Sequence, residues 1–426
     1  MRQNTATARE DHEHAHMGGP AKHVYVARQP ILDGRRRVYG YELLFSPAIL
    51  PEHDIVAPDV ACAQIISDAV LAFGLETLTG GNLAFITISR NVLLGEMPAL
   101  LRPDLTVLEL GADIDADQDT VRACTDLRRK GYHFALDQFE CTDRMAALVP
   151  FADYIKCDPR GARDFGGMRQ FISQRRNTPT GMVAERVETE ADLQCALGHG
   201  FNYFQGYFFG QPSTRTVSDI PGRRFEYLRL MQALQDPDLS IAHVEELIKS
   251  DASLCYRILR TVNSAAFGQR VAVSSIRHAL VLMGCDTIRR WVSLWLLAGV
   301  SEHAPEELIT MATVRARCCE LLCHRLGWDE VADGFLLGLC SMLDALLDCP
   351  MGSVLEHLPL SDDLVAALSG EDTPSRRILD CVVAYERGDW PSCVMRARRA
   401  GINLTLLPAA YGEALLWADA FRRTVA

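Results

Sequence analysis

The feature that most limits the fold of this chain is a change of periodicity near its midpoint. From about residue 22 to 212, short apolar, β-rich runs follow one another: VYVARQPIL, VYGYELLF, LAFITIS, TVLEL, FALD, YIKCD, MVAERV and YFQGYFF. Amphipathic, helix-patterned segments lie between several of them, at 57–74, 117–130 and 189–199. Repeated βα units need crossover connections and so imply a parallel sheet, and this many units in one domain favour a closed barrel over an open sheet. After GQPSTRTVSDIPGRR the strands stop, and from about 223 onward almost every segment has helical periodicity with brief Gly, Pro or Asp breaks. The fold class expected is α/β plus all-α: a disordered tail over 1–21, a TIM-like β/α barrel over 22–212, a linker over 213–222 and an all-helical domain over 223–426.

Composition narrows the function. A chain of 426 residues with 48% hydrophobic content can fill two or three cores. A net charge of −12 argues against nucleic-acid binding, because affinity for a phosphate backbone comes from clustered Lys and Arg. The short basic clusters Arg35-Arg36-Arg37, Arg128-Arg129-Lys130 and Arg396, Arg398, Arg399 sit in turn-like or helical contexts and read as solvated faces. No run of about 18 apolar residues occurs, and the polar start MRQNTATAREDHEHAHMGGP has no apolar core of a signal peptide. The expectation is a cytoplasmic protein without membrane contact. Fourteen scattered cysteines read as buried reduced thiols. Cys319 and Cys323 beside His324 lack the second ligand pair of an ordinary zinc site. The tail histidines His12, His14 and His16 read as part of a disordered segment.

In a β/α barrel the C-terminal ends of the strands converge on one rim. Here those ends carry Glu42, Glu109, Asp137, Lys156, Asp158, Glu185, Glu188 and Gln205. Any one acid could cap the next helix or pair with an exposed arginine. The set is harder to explain that way, because the acids recur at the same place in successive units. Acids gathered at one mouth repel unless a cation neutralises them, so such a rim reads as a site for Mg²⁺ or Mn²⁺ and phosphate.

The order YELL, LEL, FALD, YIKCD, VAERVET, FQGYFFGQP resembles the EAL domain over about residues 24–212. The resemblance implies a barrel whose active members use two metal ions to hydrolyse the bacterial second messenger cyclic di-GMP to its linear dinucleotide. It assigns metal binding to Glu42, Glu109 and Asp137, residual catalytic roles to Lys156 and Glu185, and a nucleotide-facing rim to Glu42, Glu188 and Gln205. The departures fall on the chemistry. Thr87 stands where active members carry an Asn, Gln138 where they carry a second adjacent Asp, and Ser46 where an Arg often meets the ligand phosphate. Gln138 is neutral, so the metal cage loses a charge. Such a loss in two-metal hydrolysis implies a rate reduced by several powers of ten. No tightly held cofactor is therefore expected, with Mg²⁺ or Mn²⁺ at low occupancy.

The segments ILRTVNSAAFG and SSIRHALVLMG resemble the HDOD domain, an all-helical relative of HD-type metal phosphohydrolases, from about 223 to at least 400. At the place of the metal-holding His-Asp pair the chain reads GLCSMLDALL, with Ser341 and Met342. Neither is a useful ligand for a hard metal, and NSAAFG reads as a packing and capping element. The whole chain looks like the bacterial EAL plus HDOD family, linked to signalling through protein contacts. Three readings follow: a catalytically degenerate regulator that contacts an unidentified signalling protein or itself through the HDOD domain and binds cyclic di-GMP weakly; an active phosphodiesterase; or a purely structural assembly module. Trp291 and Trp295, at i and i+4, are either a surface contact stripe or buried packing, and burial is favoured.

Overall fold

The computed structural model of the protein describes residues 25–45, 66, 74–161, 165–175, 179–210, 241–249, 252–263, 273, 275–300, 305–327, 334–356 and 360–425. The expected tail over 1–21, the linker over 213–222 and most of the helical pattern at 57–74 lie outside them.

Eight strands close into a barrel in sequence order: β1 (Val26–Asp33), β2 (Val38–Phe45), β3 (Leu83–Ile88), β4 (Thr106–Leu110), β5 (His133–Leu136), β6 (Tyr154–Cys157), β7 (Gly181–Ala184) and β8 (Tyr203–Gln205). From β2 to β8 every neighbouring pair is parallel. β1 departs from the all-parallel expectation, running antiparallel to both β2 and β8. The reason is local. Only residues 34–37 join β1 to β2, far too few for a crossover helix, and the Asp33 carboxylate accepts from the backbone N–H of Arg35 and Arg37, closing a tight hairpin.

Side chains alternate across each strand, and the inward ones stack in layers. The lower layer is apolar, with Ile31, Phe85, Val107, Ala135, Tyr154 and Val183 packed together. Gly40 is required beside it, because a Cβ there would stand 2.9 Å from the Phe85 ring. Two residues further along each strand, toward the C-terminal rim, come Thr87, Glu109, Asp137, Lys156 and Glu185, with Glu42 on β2. The barrel is thus plugged below and polar above. Helices cap this frame with their own signals. Asp117 accepts from Thr120 N–H ahead of the helix Gln118–Arg129, and Thr189 with Asp192 forms a reciprocal capping box on Glu190–Gly198.

The C-terminal half is all-helical as expected. Asn263 follows the helix Ala252–Val262, where its Nδ2 donates to the Val273 carbonyl and its Oδ1 accepts from the Val273 N–H, while residues 264–268 of NSAAFG lie outside the described residues. Trp291 and Trp295 are buried, 4% and 3% exposed, and Trp291 packs on Trp417 and Phe421, so they are core. Nine of the twelve described cysteines are buried, and none of the described ones is in a disulfide. The helical half covers the outer face of the β1–β2 hairpin: Tyr41 donates to Glu307 at 2.7 Å, and the Arg28 guanidinium lies 4.3 Å above the Tyr41 ring. Among the described residues no helix is long and apolar enough to cross a membrane.

One glycine fixes the exit from β8. Gly206 has φ 150° and its missing Cβ would fall 1.9 Å from the Val187 carbonyl oxygen. Gly206→Ala combines backbone strain with overpacking and is expected to cost about 3 kcal/mol or more. A urea denaturation midpoint within error of the parent would contradict it.

Candidate functional site

The upper barrel layer closes on one buried ammonium. Lys156, on β6, is fully buried, and its Nζ donates to Glu42 Oε2 at 2.8 Å and to Glu109 Oε1 at 2.7 Å. Asp137 Oδ1 stands 3.7 Å away and Glu185 Oε1 3.5 Å away. Strand register makes this convergence unavoidable. Thr87 pairs with Glu109 across β3–β4, Glu109 with Ala135 across β4–β5, and Lys156 with Val183 across β6–β7, so the acids lie at one level. Backbone bonds place the acids that follow β5 and β7: Asp137 N–H donates to Leu110 O and Glu185 N–H to Cys157 O.

Around that centre is a shell of amides and a hydroxyl. Thr87 Oγ1 donates to Glu109 Oε2 at 2.9 Å. Gln205 Nε2 donates to Glu42 and, at 2.9 Å, to Gln29 Oε1. Gln29 was not anticipated from the sequence, although its place two residues from inward-facing Ile31 on β1 was the available signal. Of the residues picked out in the sequence, Glu42, Glu109, Asp137, Lys156, Glu185 and Gln205 come together. Glu188 does not join them: its side chain is exposed, and its backbone N–H serves the capping box through Asp192. Gln138 is exposed in the left-handed region, φ 47°. Ser46 lies outside the described residues.

The charges adjust to one another. Burial would lower the Lys156 ammonium, but Glu109, Glu42, Asp137 and Glu185 together hold it well above its ordinary range, so it is charged. Burial would raise Glu42, yet the Lys156 charge and hydrogen bonds from Lys156 and Gln205 bring it below the usual value. Burial pushes the Glu109 carboxyl up to about 8, with Glu42 and Asp137 adding to the rise against the pull of Lys156. Glu185 goes up to about 7, again through burial and the neighbouring acids. The cluster therefore meets its excess of acids over cations with a fixed ammonium and with a raised proton affinity of Glu109 and Glu185.

The donor chemistry suits a hard divalent cation, since every ligand atom is a carboxylate or amide oxygen and the buried Asp137 Oδ1 has no hydrogen-bond partner. The spacing is another matter. Among the described residues no three His, Cys, Asp or Glu side chains stand at metal-ligand distances around one point, because these acids close on Lys156. As they stand, Asp137, Glu185 and Glu42 therefore offer the right atoms at the wrong spacing for an ion, and Gln138, neutral and exposed, adds no charge for a second one.

The sequence profile of the HDOD domain matches residues 225–347. The chain is 30% identical over 407 residues to the cyclic di-GMP phosphodiesterase CdgJ of Vibrio cholerae, a match that covers 94% of each chain. It is 29% identical over 386 residues to the uncharacterized protein YuxH of Bacillus subtilis, covering 87% of this chain and 92% of that one. Among solved structures, the Bacillus subtilis YkuI protein with an EAL domain, in complex with cyclic di-GMP and calcium, aligns with 54% of this chain and 71% of its own at 18% identity and a TM-score of 0.37.

If the charge deficit at the rim limits metal binding, restoring it has a defined effect. Gln138→Asp suits the left-handed backbone better than most residues, and combined with Thr87→Asn it is expected to raise Mn²⁺ affinity by about tenfold or more. Calorimetric Mn²⁺ titrations of both proteins check this, and equal affinities would mean that Lys156 alone governs the site.

Proposed function

The chain is a member of the EAL–HDOD family, and from that premise we propose that it is a catalytically degenerate regulator in cyclic di-GMP-related signalling. In this reading the barrel binds the nucleotide weakly and the helical half makes protein contacts. The observation that carries it is the missing second acid at the rim: Gln138, neutral, is exposed with φ 47° beside Asp137, and among the described residues no three acids stand at metal-ligand distances. A divalent cation bound at such a rim supplies a more acidic water and charge neutralisation for a phosphodiester. The chain's own residues do something different. Glu42 and Glu109 are occupied by Lys156, Thr87 spends its proton on Glu109, and Gln205 is bound to Glu42 and Gln29. What remains for a ligand is a polar rim in which Asp137 Oδ1 has no hydrogen bond, only the Lys156 ammonium 3.7 Å away.

Support for protein contact comes from the surface of the helical half. Val281 and Leu282, on the helix Ile276–Met283, are 67% and 43% exposed, beside the helix Ile241–Lys249 whose Ile241 is 46% exposed. Exposed apolar residues of this kind on one region suit association with a partner or a second copy. The active-phosphodiesterase reading, with linear pGpG as product, is favoured by the activity named for the Vibrio cholerae relative and by the survival of Glu42, Glu109, Asp137, Lys156 and Glu185.

Calorimetry with cyclic di-GMP in Mn²⁺, with product assayed in the same sample, separates the two. The degenerate reading expects turnover several powers of ten below a median enzyme's roughly 10 per second. Ordinary turnover abolished by Glu42→Ala would install the enzyme in its place. For the contact surface, Val281→Glu with Leu282→Glu is expected to remove self-association in sedimentation, or capture of a partner; an unchanged assembly would move the contact elsewhere.

A further inference from the structure

A second cavity, of about 290 Å³, lies in the helical half at its seam with the barrel. Its wall includes Ser341 and Met342, the residues at which the resemblance to HD-type hydrolases places a metal-holding His-Asp pair. Its chemistry is the opposite of a cation site. Arg315, Arg376 and Arg387 line it with Asp344 and Asp380, and since Arg315 is paired with Glu386 and Arg376 with Asp380, Arg387 is the guanidinium left to face a guest.

The positive groups are built in with unequal freedom. Arg315 is buried, with Nε and Nη2 on Glu386 Oε2 at 3.0 and 2.7 Å and Nη1 on Ser341 Oγ at 3.1 Å. It is a fixed cation in the cavity wall. Arg376 is held by Asp380 at 2.9 Å and by the Ala367 carbonyl at 3.2 Å. Arg387 is exposed, and its guanidinium stacks 4.9 Å from the ring of Tyr207, which arrives from the barrel just after β8. The rest of the wall is apolar and polarisable: Met311, Met342 and Met351 with Leu379 and Val383. Thioethers and a guanidinium-backed phenol ring favour a flat ring as guest, and the guanidinium groups favour a bidentate oxyanion.

We propose that this cavity binds a small organic anion in which a phosphate is carried on a planar aromatic body, of the size of a nucleoside monophosphate. The site needs both halves of the molecule, since Tyr207 belongs to the barrel segment and the arginines to the helices. A bound ligand therefore holds the two halves together, and it does so two residues from Gln205, which is bonded to Glu42 in the rim. The proposal does not depend on cyclic di-GMP binding or turnover at the rim.

The test uses the full chain with three probes, GMP, guanosine and inorganic phosphate, followed by calorimetry and thermal melting. GMP is expected to bind with one-to-one stoichiometry and to raise the melting temperature in a concentration-dependent way. Phosphate and guanosine alone are expected to bind at least about tenfold more weakly, since each lacks half the contacts. Arg387→Ala is expected to weaken GMP about tenfold or more and Arg387→Glu to abolish it; as an exposed side chain, either change leaves the fold in place, which the unliganded melt checks. The proposal is overturned if no probe saturates, or if the two Arg387 variants bind GMP like the parent.

Discussion

Everything in the barrel is arranged around a charge that water cannot reach. An ammonium with no solvent exposure is tolerated only if carboxylates surround it, and removing one partner of such a buried pair costs about 3–5 kcal/mol. Lys156 therefore dictates the level at which Glu42 and Glu109 must stand, and the parallel register from β2 through β4 supplies that level. The apolar layer of Phe85, Val107, Ala135, Tyr154 and Val183 beneath it keeps water from entering from below. The electrostatic centre and the hydrophobic plug are two consecutive steps of the same strand periodicity.

This dependence explains which parts of the fold could be read from the chain. The rim residues Glu109, Asp137, Lys156 and Glu185 were legible because each sits two residues beyond an inward side chain of the lower layer, a spacing visible in VLE, ALD, YIK and VAE. Their assembly around Lys156 was not, since proximity across strands depends on register. The direction of β1 was hidden for the same reason: a β-rich run has the same pattern whichever way it runs, and only the short 34–37 connection reveals the hairpin. Glu188 was grouped with the rim because it follows Glu185 in VAERVE. The chain bends between them, however, with Arg186 at φ 54°, and this sends Glu188 outward to the helix cap. Burial of Trp291 and Trp295 was the favoured reading of their i, i+4 spacing, yet spacing alone could not name Trp417 and Phe421 as their cover.

The seam between the halves obeys a related rule. Arg28, Tyr41 and Glu307 meet in a buried contact that neither half satisfies alone: the helix Glu306–Arg325 brings the acid and the β1–β2 hairpin brings the cation and the phenol. Burial raises the Glu307 carboxyl, while Arg28 and the Tyr41 hydroxyl pull it back. Buried polar groups of this kind are costly when unpaired and specific when paired. They fix one docking of the helices on the hairpin at which each group has a partner.

The two halves also share a solution to the problem of a metal-type position. In the barrel a lysine ammonium sits among the acids. In the helical half a buried arginine guanidinium binds Ser341, beside Met342, at the place where hard ligands would be needed. A covalently attached cation neutralises charge as a bound ion does, but it offers no exchangeable coordination position and cannot make a bound water more acidic. On the function proposed above, each position keeps the electrostatic part of a metal site without its reactivity, and what a fixed cation still provides is the placement of anions and the packing of the halves.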